Sequence, residues 1–503
     1  MRQTPPQLAY RPQTWQRIAA GLITALSAPL LLSCDALLGI DDLDGRPDAR
    51  PASDSAPPPV ADASTPRADA APPEPGAIVW VRSLANMNPY DVAPMPDNSL
   101  FISGSTLERI ELGGDTIEPL GGYDMVFAGI DADSAVYRWS TSVGDVGGEF
   151  PGSALPAGPD GSLFIRGVSY DTVNLGQGTI AGAGGADGFI GRYSANGGPP
   201  MWLQRIATAD EDKFLGQATG PGGSVFVTGY FVDAVTLDDT ELAGAGNRDV
   251  LLARLAGADG SVLFARSWGD DKLDEGRALA WTGERVILAG TFVSTISFDN
   301  RVALVSAGGR DVFVALLSPD GEPESAVSFG GVGNDNAVRV RVDSDDNIYL
   351  YGTFEDQVGF GAVNLRSAGG QDVFLAKLSP EGDPLWARSF GGLEVEDSFQ
   401  LSVAPDGTVF IAGASESDLD LGAGVIPNRG GLDAFIASYE PTTGAHRWSH
   451  VFGSGGDDRA WDIKLDNKGS VYALIDSESP IPWDPAPRGP AADPRGVLLK
   501  LAR

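Results

Sequence analysis

From Ile78 onward, short apolar runs alternate with turn residues at a period near 61 residues. One run is Leu385-Trp386-Ala387-Arg388-Ser389-Phe390-Gly391, matched by Leu263 to Gly269, Arg447 to Gly453 and Ile78 to Leu84, with weaker copies around Trp139, Trp202 and Ser325. Five of the ten Trp fall on this one repeat position, so the spacing reflects repetition and not chance. A second run begins with Asp and reads Asp311-Val312-Phe313-Val314-Ala315-Leu316-Leu317, with relatives starting at Asp124, Asp187, Asp249, Asp372 and Asp433 and a last copy at Gly496 to Leu501. A short turn such as Pro380-Glu381-Gly382 joins this run to the Trp run, which predicts a hairpin.

A third run ends in Gly, as in Ile348-Tyr349-Leu350-Tyr351-Gly352 and Val409-Phe410-Ile411-Ala412-Gly413. Before it lies a run of alternating apolar and charged residues, Ala337 to Asp343, the pattern of a half-buried strand. Each unit therefore holds four strands in about 61 residues, the size of a β-propeller blade. Seven units fit between Ile78 and Arg503, so the fold class is all-β, a seven-bladed propeller of four-stranded blades over 77–503. The chain opens this region with a Trp-type strand and ends it with an Asp-type strand. Pairing the two completes the last blade and removes two exposed strand edges.

These residues carry a resemblance. Trp386 to Gly392, the Val-x-Val-x-Gly type of strand and Ser367-Ala368-Gly369-Gly370-Gln371-Asp372-Val373-Phe374-Leu375-Ala376-Lys377-Leu378 are similar to the SBBP-type bacterial β-propeller repeat. The likeness is strong in units four to six and weak in units one and seven, where Pro480 to Pro485 replaces the Ser-Ala-Gly-Gly segment. It implies repeat architecture on secreted and surface proteins, and no single activity. Thr443-Gly444-Ala445-His446-Arg447-Trp448 resembles the Thr-Gly-x-x-x-Trp of quinoprotein propellers, but it occurs once and no quinone-binding residues accompany it.

The first 33 residues read differently. Arg2, Arg11 and Arg17 precede an apolar stretch, Ile18 to Leu32, too short to span a bilayer comfortably. This is the pattern of a secretory signal peptide. Leu31-Leu32-Ser33-Cys34 resembles the bacterial lipobox, which implies cleavage before Cys34 and lipidation of its thiol. Cys34 is the single Cys of the chain. Residues 34–76 then form a Pro/Ala/Asp-rich stretch without periodicity, expected to be a disordered tether. A membrane-anchored lipoprotein of the bacterial envelope, facing periplasm or exterior, is the expected setting.

Composition narrows the chemistry. The formal net charge of −33 opposes nucleic-acid binding, which needs a basic face. One Cys and two His leave no Cys-rich or His-rich metal centre. His446 and His450 share one face of a strand and are read as ordinary strand residues. Asp343-Ser344-Asp345-Asp346-Asn347 opens like a calcium loop but lacks the Gly and Glu that complete one, and it occupies a turn slot. No cofactor is expected beyond this weak calcium signal.

One acid recurs six residues after the end of the Trp-type strand: Glu149, Asp212, Asp274, Asp335 and Asp458, with Asp397 one place later on the expectation that its loop is one residue longer, and Asp91 as the match in unit one. These acids either cap loops by accepting backbone N–H bonds or form a carboxylate ring at the channel mouth that binds cations or a basic partner. The expected function is non-catalytic binding or scaffolding by a monomer, with an envelope protein or polysaccharide as partner. The alternative is a hydrolase or lyase using carboxylates near the channel. The lipobox generates a direct prediction: Cys34→Ser leaves the protein out of the detergent phase or as unprocessed precursor on fractionation, whereas normal-size protein in the membrane fraction would refute lipidation.

Overall fold

The computed structural model describes residues 73–503 except 145–146, 171, 177, 181, 183, 300, 479–480 and 482–494. The expected signal peptide, Cys34 and the tether up to residue 72 lie outside the described residues. Among the described residues no helix is long and apolar enough to cross a membrane.

Seven four-stranded antiparallel sheets follow one another along the chain, giving a seven-bladed β-propeller. Blade 5 shows the plan: an inner strand Asn336–Val342, a second strand Ile348–Phe360, a third strand Val363–Leu378 and an outer strand Pro384–Phe390. Its second and third strands run on past the blade as a long hairpin, as they do in blade 4. In blades 1, 2, 3 and 6 the same extension separates into a small two-stranded ribbon.

The apolar core lies between blades. Ile348, Leu350, Phe374 and Ala376 of blade 5, for example, pack against Ile287, Ala289, Val312 and Val314 of blade 4. Both faces of the middle strands are buried, which is why those strands read as continuous apolar runs while the inner and outer ones alternate.

In blades 2 and 5 the recurrent Trp of the outer strand fastens its blade to the next. Trp202 donates through Nε1 to the Gly257 carbonyl at 2.9 Å, and Trp386 donates to the Pro441 carbonyl at 3.1 Å. Each ring lies flat against a turn glycine of the following blade, Gly260 for Trp202 and Gly444 for Trp386. A Cβ at either position would enter the indole, and both glycines adopt positive φ, at 76° and 67°. Phe264 does the same against Gly321.

Blade 7 is built from both ends of the chain. Asp458–Leu465, Val471–Ser477 and Gly496–Leu501 supply the first three strands, and Ile78–Ser83 adds the fourth, with Val81 opposite Leu499. The N-terminal segment also provides the missing turn glycine. Gly76 has φ of 82°, lies under Trp448, and donates its N–H to the Ala502 carbonyl at 2.8 Å. His450 Nε2 stands 2.7 Å from the Gly76 carbonyl oxygen, so this His belongs to the closure. Trp80 is 2% exposed and packs into the blade 1 core with Met87, Leu100 and Tyr137.

Closure should therefore be separable from the preceding residues. A chain starting at residue 73 should melt cooperatively, and one starting at residue 87 should lose its transition or melt far lower. Trp80→Ala in the full chain should cost about 3–5 kcal/mol in denaturant unfolding. Equal melting of the two truncations would refute closure by this strand.

Candidate functional site

Each inner strand begins at a junction with the preceding blade, and the recurrent acid sits there. The backbone N–H of Asp335 donates to the Arg310 carbonyl of blade 4 at 2.8 Å, and its Oδ2 accepts the Gly331 N–H at 2.8 Å. Asp274 accepts from Asp270, Asp212 from Thr208 and Val232, and Asp458 from Ser454. Glu149 is buried at the same place in blade 2, its own N–H on the Tyr123 carbonyl. These carboxylates accept local backbone N–H bonds at blade junctions, as loop caps do.

Two of the acids fall elsewhere. In blade 6 the capping acid is Glu396, whose carboxylate accepts the Gly392 N–H at 3.1 Å and the Ser415 hydroxyl at 2.9 Å. Asp397 is its half-buried neighbour, near the side-chain amide of Gln371. The loop is no longer than the others; a Glu simply holds the place. In blade 1 the pairing of Asn88 with Ser105 and of Pro89 with Gly104 puts Met87 at the acid's position. Asp91 lies four residues further on, inside the channel.

A second set of buried acids backs the first. Asp249 and Asp433, at the start of their third strands, and Asp311 and Asp372, within their longer ones, each accept the N–H four residues earlier, at 2.8 to 3.0 Å. A Cβ on Gly330 or Gly391 would strike the carboxylate of Asp311 or Asp372, which explains why the outer strand ends in Phe-Gly. Burial pushes Asp212, Asp274, Asp335, Glu396 and Asp458 above the usual carboxylate range, aided by a nearby second acid. Asp274 and Asp335 reach about 8, and among the described residues one oxygen of each meets no hydrogen-bond donor.

The channel is shaped by a different device. All seven inner strands break register with the second strand at the same place. In six of them one residue is left without a partner: Tyr90, Leu215, Arg277, Val338, Phe399 and Trp461. In blade 2 Gly152 and Ser153 are skipped together. This is a β-bulge, and it turns consecutive side chains inward. The unpartnered residues of all seven blades line one axial cavity of about 280 Å³, together with Asp91, Ser153, Arg166, Arg339, Ser398 and Gln400.

One side of the cavity is aromatic. The rings of Phe399 and Trp461 lie 4.6 Å apart, Tyr90 is 6.1 Å from Trp461, and Phe150 continues the row at 6.5 Å from Tyr90. The rest is ionic. Lys464 Nζ bridges Asp91 at 2.8 Å and Asp462 at 2.6 Å. Gln400 donates to Asp462 at 2.7 Å, and its Oε1 accepts from both Arg339 and Arg341. Burial and the adjacent Asp462 push Asp91 upward against the pull of Lys464. The aromatic and cationic channel residues were missed by sequence reasoning. Their signal was the residue three places beyond each junction acid, as Arg277 follows Asp274 and Trp461 follows Asp458.

The calcium-like loop is a turn: Asp343 Oδ1 accepts the N–H groups of Asp345 and Asn347, and Oδ2 stands 3.2 Å from Lys377 Nζ. Among the described residues no group of three or more His, Cys, Asp or Glu side chains is placed to hold a metal ion.

Fold and site together define a seven-bladed β-propeller with a mixed aromatic and cationic cavity on its axis. No family model matches the chain. A stretch of 159 residues, 30% of the chain, is 28% identical to the regulatory protein FlaEY of Caulobacter vibrioides and spans 17% of that protein's length. Solved structures similar to the chain include a quinohemoprotein alcohol dehydrogenase from Comamonas testosteroni, at 11% identity and a TM-score of 0.40, covering 84% of this chain and 76% of that one. The WD40 domain of Neurospora crassa Pan2 is 8% identical with a TM-score of 0.42, covering 85% and 95%. Drosophila Semaphorin 2a is 6% identical with a TM-score of 0.41, covering 85% and 76%.

The junction acids give a pH dependence. A carboxyl held near 8 in the fold and near 3.8 when unfolded keeps its proton longer in the native state. Its contribution is fully present below about pH 4 and is lost as pH rises toward 8, by at most about 1.4 kcal/mol per pH unit for each group. The melting temperature should be higher at pH 5.5 than at pH 8.5. Asp335→Asn, which keeps an oxygen for the Gly331 N–H, should stabilise most at pH 8.5, less at pH 5.5, and change little at pH 4. An unchanged pH profile in the variant would exclude Asp335 as a source.

Proposed function

We propose that this chain is a cell-envelope lipoprotein of the SBBP-repeat kind, anchored through Cys34, whose propeller is a non-catalytic binding module with the axial cavity as its site. The single-Cys lipobox and the Pro-rich stretch after it support the anchored placement. The observation that carries the binding reading is the bulge position. Seven equivalent places hold seven different residue types (Tyr90, Gly152, Leu215, Arg277, Val338, Phe399 and Trp461), whereas the junction place holds an acid in six blades. A position that varies from blade to blade while all seven converge on one cavity suits recognition better than repeat packing.

A hydrolase or lyase would need a carboxylate free to act on substrate. Asp91 spends Oδ1 on Lys464 and Ser153 and Oδ2 on the Ala154 N–H. Asp462 spends both oxygens on Lys464, Gln400 and the N–H groups of Val92 and Ile463. That saturation favours binding over catalysis. The partner is an envelope protein or polysaccharide, and the domain acts as a monomer.

The test is capture from envelope extract, with and without calcium, by the parent and by a Trp461→Ala, Arg277→Ala variant of equal melting temperature. The parent should retain material that the variant loses. Equal retention by both would place binding outside the channel and overturn the proposal.

A further inference from the structure

We infer that the axial cavity is a sugar-acid site, built for a single pyranose ring carrying a carboxylate. The inference rests on the binding-module reading and gives it a ligand class. The first observation is charge. The chain carries −33 overall, yet among the described residues at its axis Arg166, Arg339, Arg341 and Lys464 stand against two acids, Asp91 and Asp462, while Arg277 of the same cavity pairs with Glu275 at 3.4 Å. Among the described residues Arg166, Arg339 and Arg341 form no ion pair. Arg166 reaches the Phe214 carbonyl at 3.1 Å and leaves its Nε without a partner; Arg339 and Arg341 each donate to a backbone carbonyl, of Val338 and Val340, at 2.8 Å and share the single Gln400 Oε1. Burial lowers Arg166 to about 10 and, with the neighbouring arginines, Arg339 to about 9, so both remain charged at neutral pH. Buried guanidinium groups without an anion are costly, and a bound carboxylate supplies the missing acceptor in the two-pronged geometry that Arg prefers.

The second observation is shape. Trp461, Phe399 and Tyr90 present an aromatic wall to the same cavity that Arg166, Arg277 and Arg339 line. A pyranose offers a C–H face to such a wall and hydroxyls at its rim. Ser398 is 6% exposed and lines the cavity, and among the described residues its hydroxyl has no hydrogen-bond partner. A ring hydroxyl would satisfy it. A volume of about 280 Å³ is at the low end for small-molecule pockets, room for one ring and its substituents. An inorganic anion would leave the aromatic wall unused, and a neutral sugar would leave the arginines unanswered.

The experiment is titration calorimetry on the full chain in detergent with D-glucuronate, D-galacturonate, D-glucose and inorganic phosphate. At least one uronate should bind, with glucose and phosphate each more than tenfold weaker. Arg339→Gln should weaken the uronate more than tenfold, and Arg339→Lys, which keeps the charge but not the fork, should weaken it less. Trp461→Leu should weaken the uronate with its charge preference intact. Thermal melts of each variant separate lost binding from lost folding, and Arg277→Gln at the cavity rim serves where Arg339→Gln does not fold. Phosphate binding as tightly as the uronate would overturn the sugar in favour of a plain anion site, and glucose binding equally would overturn the charge. If no sugar binds while the channel variant still loses its captured material, the sugar-acid class fails and the binding module stands. If capture is also indifferent to the channel, both fail.

Discussion

The ladder between Ile78–Ser83 and Gly496–Leu501 is the constraint on which the ring depends, because six blades are continuous in sequence and only the seventh must be assembled from ends 400 residues apart. Its consequences reach the axis. Once blade 7 is complete, its inner strand lies beside that of blade 1, and Lys464 can bridge Asp462 of one to Asp91 of the other. Lys500 makes a matching contact further out, with the Ala132 carbonyl and Asp133 of blade 1. The seam is thus held at rim, middle and axis. An ion pair that would add little on the surface is here buried and completed by backbone donors, where breaking it leaves a charge stranded.

What the sequence made legible follows from what repeats. The blade period, the four strands, the turn glycines and the closing strand all recur, and each recurrence has a packing reason that is the same in every blade. The junction acids were legible as a pattern and slipped in register at two points. Taking the blade 6 loop to be one residue longer passed over Glu396, which stands six residues after Phe390 and reaches the Gly392 N–H. The count also passed over Met87, where blade 1 keeps no acid at all and the next Asp lies in the channel.

The cavity was not legible because a bulge defeats strand alternation. With period two, Val338 and Arg339 belong on opposite faces, and Phe399 and Gln400 likewise; after the register break both members of each pair line the channel. The alternating charges of Val338-Arg339-Val340-Arg341 thus look like a solvated face and are in fact the cationic lining of the axis. Trp461 stands off the recurrent Trp position, so nothing in the periodicity marked it.

The unpartnered bulge residue has one more consequence. It faces no residue on the neighbouring strand, so its side chain is uncoupled from the register that holds the blade together. Replacing it alters the lining and leaves the scaffold's pairing rules untouched. The propeller therefore behaves as a frame with seven interchangeable letters, one written by each blade, and a handful of substitutions would rewrite the lining of its axis without asking the fold to be solved again.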